Sequence, residues 1–399
     1  MLSAPYEFWH GQMDYGKLSW NSIIGRFFVL IADSEYCRKI FERCSAEMPL
    51  VLHPNANRLL GNDNIAFMNG QTHKILRIAL LPLFTTKALS TYLHIQEEAI
   101  RNHMKKWCEL SQNSTNGIEM RPLVYDLNIN TSLSVFIGPY INEQIREQFK
   151  IDYTNLTRGM FAAPIYFPGT QLYKGVHNIE PTCLLDYWMI STLKTIDEAK
   201  KTNQPTPLHS TDEEIAKITL DFLFAAQDAS TSSLTFAIHE LSKHPDVLEK
   251  VRQEQKLLRP DSLAPITPEL LTQMKYTWQV MKELLRLRPP ATLAIHVANK
   301  PIQISDDYTA PKGTLIIPKR FNSDRMEHMK YDRNFLTFGA GPHACIGQRY
   351  AMNHIMLFIS LLTDMNFERA YRSNMDKIMY LPTIYPADGC VLNYIKPGN

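Results

Sequence analysis

The chain has 399 residues, 45% hydrophobic and 21% charged, an ordinary globular composition, and its formal charge of +2 gives no electrostatic case for nucleic acid. The six cysteines, Cys37, Cys44, Cys108, Cys183, Cys345 and Cys390, form no Cys-x-x-Cys pair, which argues against a zinc site or disulfide framework and fits a reducing compartment. No apolar run is long enough to span a bilayer, no signal-peptide pattern follows Met1, and no composition break divides the chain, so a single domain over residues 1–399 is expected.

Residues 27–31 read as a short buried strand, and residues 34–42 as a helix capped by Asp33 or Ser34. Residues 48–70 are loop-like. A helix beginning near Gln71 carries His73 and Arg77 at i and i+4, on one face. Taken alone, that pair is a solvated basic face. Residues 90–145 read as mainly helical. The apolar, proline-broken stretch 161–169 lines a substrate entrance, touches a membrane surface or is an ordinary buried loop. Residues 203–207 form a polar connector too short to separate domains.

Thr211 and Glu214 form a capping box, and apolar spacing then continues to Lys243, where Pro245 stops it. That predicts a helix of about 32 residues, roughly 48 Å long. Inside it, residues 225–233 combine small side chains, the carboxylate of Asp228 and a cluster of hydroxyls that includes Ser230 and Thr231. Such hydroxyls can bond back to preceding carbonyls and bend the helix. Ala225 and Ala226 leave room for a bulky planar group; without chemistry the stretch is a polar kink. A further helix over 275–288 ends at Pro289-Pro290. On it Glu283 and Arg286, at i and i+3, lie among Leu284, Leu285 and Leu287, where charges should be paired. The same spacing at Glu143/Arg146 and Glu249/Arg252 reads as surface pairs. Residues 291–297 read as a strand. Alternation over 302–304 and 314–317 predicts a small antiparallel sheet turning near Lys300-Pro301.

The sharpest signal is Phe338-Gly339-Ala340-Gly341-Pro342-His343-Ala344-Cys345-Ile346-Gly347, which leads into an apolar helix. A helix start offers unpaired N–H groups and a positive dipole end that stabilise a thiolate. Gly341 and Gly347 leave no Cβ where a flat ligand would approach the backbone. A lone cysteine here would more often be inert core. The full Phe-x-x-Gly-x-x-x-Cys-x-Gly pattern should arise by chance in roughly one chain per few thousand.

This stretch resembles the haem-thiolate signature of the cytochrome P-450 family, and the resemblance extends over nearly the whole chain. It implies a mainly α fold with small β sheets, in which one haem b is held by the Cys345 thiolate at its iron beneath a long central helix. It further implies that His73, Arg77, His296 and His343 neutralise the haem propionates, with Phe338, Gly341 and Gly347 shaping the ligand loop. Glu283, Arg286 and Arg325 match the family's structural triad, which holds that loop. Asp228, with Ser230 or Thr231, would serve oxygen protonation, and Phe224, Ala225, Leu293 and Tyr385 would contact substrate.

The central helix departs from the family pattern at Ala226, usually Gly, and at Ala229, usually Thr. Residues 222–234 are similar to one subgroup, the sterol C-22 desaturases of fungi and plants, in which that Thr is missing. The resemblance therefore implies C-22(23) desaturation of a sterol side chain with O2 and electrons from NADPH through a cytochrome P-450 reductase. It also implies a place on the cytosolic face of the endoplasmic reticulum membrane, reached by peripheral contact since no anchor is seen. A 14α-demethylase-like monooxygenase, a reductase-independent enzyme rearranging lipid hydroperoxides and a non-catalytic haem-binding relative remain open. The last is raised by two shortened sections, near 175–181 and at 318–321, which read as a compact variant, a fragment or missing exons.

Overall fold

The computed structural model describes residues 15–23, 25–43, 47–51, 64–138, 142–160, 212–291, 294–318, 335–380 and 383–397, together with 11 and 201. In chain order its elements are β1 (Leu18–Ile23), β2 (Arg26–Ile31), α1 (Ser34–Glu42), α2 (Gly70–Leu80), α3 (Thr86–Gln112), β3 (Ile118–Glu119), α4 (Met120–Phe136) and α5 (Glu143–Met160). There follow α6 (Asp212–Lys243), α7 (Pro245–Leu258), α8 (Pro268–Gln273), α9 (Lys275–Leu287), β4 (His296–Val297), β5 (Ile302–Ser305), β6 (Tyr308–Ala310) and β7 (Leu315–Pro318). Last come α10 (Gln348–Leu362), β8 (Met365–Arg369), β9 (Ile378–Met379), β10 (Tyr385–Pro386) and β11 (Val391–Pro397). The chain divides into two compact units: Met1–Ile78, Asp152–Ile179 and Ala291–Ile346 make the first, and Ala79–Ile151, Glu180–Pro290 and Gly347–Asn399 the second.

The first unit is built on a four-stranded sheet of order β1-β2-β7-β4. Two sequence expectations are corrected here. The strand expected over 291–297 is only His296–Val297 within the described residues. Leu315–Pro318 does not join β5 in an antiparallel sheet; it runs parallel to β2, with Val29 opposite Ile316. The reason lies in the pattern: Leu315-Ile316-Ile317 is a continuous apolar run, suited to a strand covered on both faces, whereas β5 alternates and closes a hairpin with β6 through Asp306-Asp307. Against the sheet lies α1, capped as expected by Asp33, whose carboxylate accepts the N–H groups of Glu35 and Tyr36. Its buried Cys37, Ile40 and Phe41 join Val29, Ile31, Met48 and Ile316 in one core.

The second unit is helical. Helix α6 has 32 residues and stops at Lys243, with Pro245 opening α7. Residues 231–239 of α6 and 354–363 at and beyond the end of α10 are buried without interruption, so polar side chains there must find partners inside the protein. The helical stretch expected over 90–145 divides where Gly117, at φ +77°, turns the chain into β3. A Cβ there would meet the Leu392 carbonyl oxygen at 2.5 Å.

Candidate haem-thiolate site

In the first unit the Cys345 loop is shaped by its backbone. The Cys345 N–H donates to the Phe338 carbonyl at 2.8 Å, Gly339 N–H to Leu336 at 2.9 Å, and Ala344 N–H to Gly341 at 3.1 Å. Gly339 and Gly341 adopt φ of +74° and +68°. At Gly341 a Cβ would lie 2.6 Å from the Phe41 carbonyl oxygen, so this glycine lets the loop rest on α1. A Cβ at Gly347 would meet nothing within 4 Å, so space beside that residue is open. Cys345 is exposed and in no disulfide. Phe338 is half-buried and edge-on to Phe335, with ring centroids 6.1 Å apart.

Around this loop three nitrogen-bearing side chains converge. The Arg77 guanidinium donates to the Ala344 carbonyl at 2.8 Å. The His73 and His343 rings stack with centroids 4.0 Å apart. Burial, then the proximity of His343 and Arg77, lowers the His73 pKa to about 4; burial and Arg77 likewise lower that of His343. Burial also lowers the Arg77 pKa, while Cys345 draws it back up. No carboxylate pairs with Arg77 among the described residues. His296, buried on β4, donates from Nδ1 to the Met48 carbonyl at 3.2 Å, since a carbonyl can only accept. An exposed thiol beside a guanidinium that pairs with no acid among the described residues, and beside two imidazoles able to donate hydrogen bonds, is a donor set that fits a haem iron and the haem carboxylates.

In the second unit the middle of α6 is shaped by side chains. Ala225 is exposed, and Phe224, Ala226, Ala229 and Ser230 are half-buried, whereas Gln227, Asp228, Thr231, Ser232 and Ser233 are buried. Burial pushes the Asp228 pKa up to about 6, with Arg121 acting to lower it. The Asp228 carboxylate makes no hydrogen bond or ion pair among the described residues; its backbone carbonyl accepts from Thr383 at 3.1 Å. Thr231 is committed: its hydroxyl donates to the Gln227 carbonyl at 2.9 Å and accepts from Asn128 at 3.1 Å. Of the two hydroxyls picked out in the sequence, Ser230 is the uncommitted one among the described residues. Tyr385 lies with its ring under the Arg121 guanidinium, 3.8 Å away, and the neighbouring Ile384 carbonyl accepts from Ser232 at 2.7 Å.

The Glu-x-x-Arg spacing behaves differently at its three occurrences. Arg286 is buried and makes a bidentate pair with Glu283, at 2.7 and 2.8 Å. Arg252 lies 3.8 Å from Glu249 and donates mainly to the Met365 carbonyl, and Arg146 turns to Ser134 and the Gly138 carbonyl. Arg325 and Leu293 lie outside the described residues, as do the stretch 161–169 and the section 175–181. Sequence reading missed Arg121, Asn128, Thr383 and His354. For Asn128 and His354 a signal existed, a polar residue inside an otherwise apolar helical run; for Arg121 and Thr383 there was none.

A model of the cytochrome P450 family matches residues 4–319 and 317–380. Cytochrome P450 710A2 of Arabidopsis thaliana is 39% identical over 440 aligned positions, covering 98% of this chain and 87% of its own. A C-22 sterol desaturase of Gibberella zeae is 30% identical, covering 98% and 84%. The solved structure of a retinoic acid bound cyanobacterial cytochrome, CYP120A1, shares the fold with a TM-score of 0.77 at 21% identity, covering 98% of this chain and 95% of that one. The chain belongs to the cytochrome P450 family, and the class this defines is the haem-thiolate monooxygenases. The two matched stretches meet at 317–319, the end of β7, where the sequence reads as shortened. Among the described residues no helix is long and apolar enough to cross a membrane, and no group of three or more His, Cys, Asp or Glu side chains could hold a metal ion.

Proposed function

We propose that this protein desaturates the C-22(23) bond of a sterol side chain, using O2 and two electrons passed from NADPH by a reductase. The observation that carries the reading is the near full-length similarity to C-22 sterol desaturases of Gibberella zeae and Aspergillus fumigatus, each 30% identical. The face of α6 supports it, since Ala225, Ala226 and Ala229 leave room for an apolar, rigid molecule.

In this reading Cys345 supplies the thiolate, Arg77 offsets the charge of the haem carboxylates, and His73 and His343 donate hydrogen bonds to them. Bound haem supplies dioxygen activation and one-electron chemistry. The sterol side chain loses two hydrogens. Dioxygen takes these with two electrons and two further protons, and two waters leave with the new double bond in place. Asp228, with a pKa near 6, populates both protonation states around neutrality and so can accept and pass a proton from its buried place on α6. Ser230 offers the hydroxyl that Ala229 lacks. The sterol and the reductase are the partners, and the site of action is the cytosolic face of the endoplasmic reticulum membrane, through peripheral contact.

A second reading, reductase-independent rearrangement of a lipid hydroperoxide, is favoured by the missing hydroxyl at Ala229. One experiment separates the two. Purified, haem-loaded protein is combined with a reductase, NADPH and a sterol saturated at C-22, and products are resolved by mass spectrometry. An NADPH-dependent C-22 double bond is expected. Hydroxylated sterol as the sole product would refute desaturation, and NADPH-free turnover of a hydroperoxide would favour the second reading.

A further inference from the structure

Three helices of the second unit are joined by a chain of buried side chains. His354 on α10 meets Asn128 on α4 at 2.9 Å, Asn128 meets Thr231 on α6 at 3.1 Å, and Thr231 meets the Gln227 carbonyl at 2.9 Å. These three side chains belong to residues 1, 2 and 3% exposed. The direction of every bond follows from one end. The Gln227 carbonyl only accepts, so the Thr231 hydroxyl donates to it and turns a lone pair to Asn128. The Asn128 amide nitrogen therefore faces Thr231 and its oxygen faces His354, so His354 must donate from Nε2. Nδ1 then carries the lone pair in a neutral ring, and it is buried with no hydrogen-bond partner among the described residues. Burial, which lowers the His354 pKa to about 4, favours the same neutral form.

The turn this chain reaches is unusual within α6. Thr231, Ser233 and Thr235 each donate back to the carbonyl four residues earlier, on Gln227, Ala229 and Thr231. Back-bonding of this kind competes with the helical N–H bonds and bends a helix. The Gln227 side chain also donates to the Tyr125 carbonyl at 2.9 Å, pinning the same turn to α4. Apolar side chains would hold three helices together at least as well as a buried polar chain. What the polar chain adds is direction, at the Thr231 hydroxyl.

We propose that His354 is a positioning residue: acting through Asn128, it fixes the Thr231 hydroxyl against the Gln227 carbonyl and so sets the course of α6 beside Ala226 and Ala229. The consequence for catalysis rests on the sterol-desaturase reading; the positioning itself does not.

The test uses the full, haem-loaded chain with His354→Leu, which removes the donor, and His354→Gln, whose amide N–H can replace it. Hydrogen exchange over residues 224–235 is read by mass spectrometry, and the spin-state change on adding a sterol saturated at C-22 is read by absorbance. Exchange is expected to speed about fivefold in the leucine variant, as loss of one buried hydrogen bond implies, and to return to wild type in the glutamine variant. The spin-state amplitude should follow the same order. Should His354→Leu fail to retain haem, Thr231→Val removes the far end of the chain and should speed exchange similarly. Equal exchange in the leucine and glutamine variants, or no change with Thr231→Val, overturns the proposal. If exchange behaves as expected while wild type shows no sterol-induced spin change, the positioning stands and the sterol reading fails.

Discussion

The Cys345 loop and the centre of α6 are held in shape by opposite means. The loop is fixed by backbone: N–H to carbonyl bonds at Cys345, Gly339 and Ala344, and two glycines at positive φ. The centre of α6 is fixed by side chains, with Thr231, Ser232, Ser233 and Gln227 each spent on a carbonyl. Their charges are also opposite. The loop holds the Arg77 guanidinium without a carboxylate, and α6 buries the Asp228 carboxylate, on which Arg121 acts without an ion pair among the described residues. The loop should therefore fail when its backbone is constrained, and α6 should respond when charge or hydrogen-bond direction changes.

The largest effect is expected from Gly341→Ala. It forces an L side chain to φ +68° and places a Cβ 2.6 Å from the Phe41 carbonyl oxygen, so about 3 kcal/mol or more should be lost in a denaturant titration. Wild-type stability would show that the loop does not rest on α1 as described. The next is Asp228→Asn, which acts through charge. The folded pKa of Asp228 is raised to about 6, so its contribution is full at low pH and is lost as pH rises through that value. The loss amounts to about 3 kcal/mol. The asparagine variant should therefore melt higher than wild type at pH 8 and alike at pH 4, while forming less product. Equal melting at both pH values would contradict a buried, weakly paired carboxylate. The smallest effect is expected from Gly347→Ala, whose Cβ meets nothing within 4 Å: stability should change by about 0.5 kcal/mol or less. A smaller haem content in that variant would place the ligand against Gly347.

Much of the scaffold was legible because its signals are local. The Asp33 cap, the Pro245 stop and the buried Glu283–Arg286 pair are each set by neighbours within a helical turn or so. The pairing of β7 was misread because a parallel partner, β2, lies almost 300 residues away, and only the unbroken apolar run hinted at it. Likewise the bonds from Asn128 reach 103 and 226 residues along the chain, beyond any periodicity argument. Gly341 was legible as a position that needs no Cβ, but its approach to the Phe41 carbonyl was not, because sequence shows that a Cβ is missing and not what would have met it.

The central claim is that Cys345 presents a thiolate to haem. The most direct measurement is the reduced carbon monoxide difference spectrum of purified wild type beside Cys345→Ala, an exposed position whose truncation should leave the fold intact. Wild type is predicted to give the red-shifted Soret band of a thiolate-ligated haem, and the variant to lose that band while melting at the same temperature. A thiolate band in both proteins, or in neither, would contradict the account.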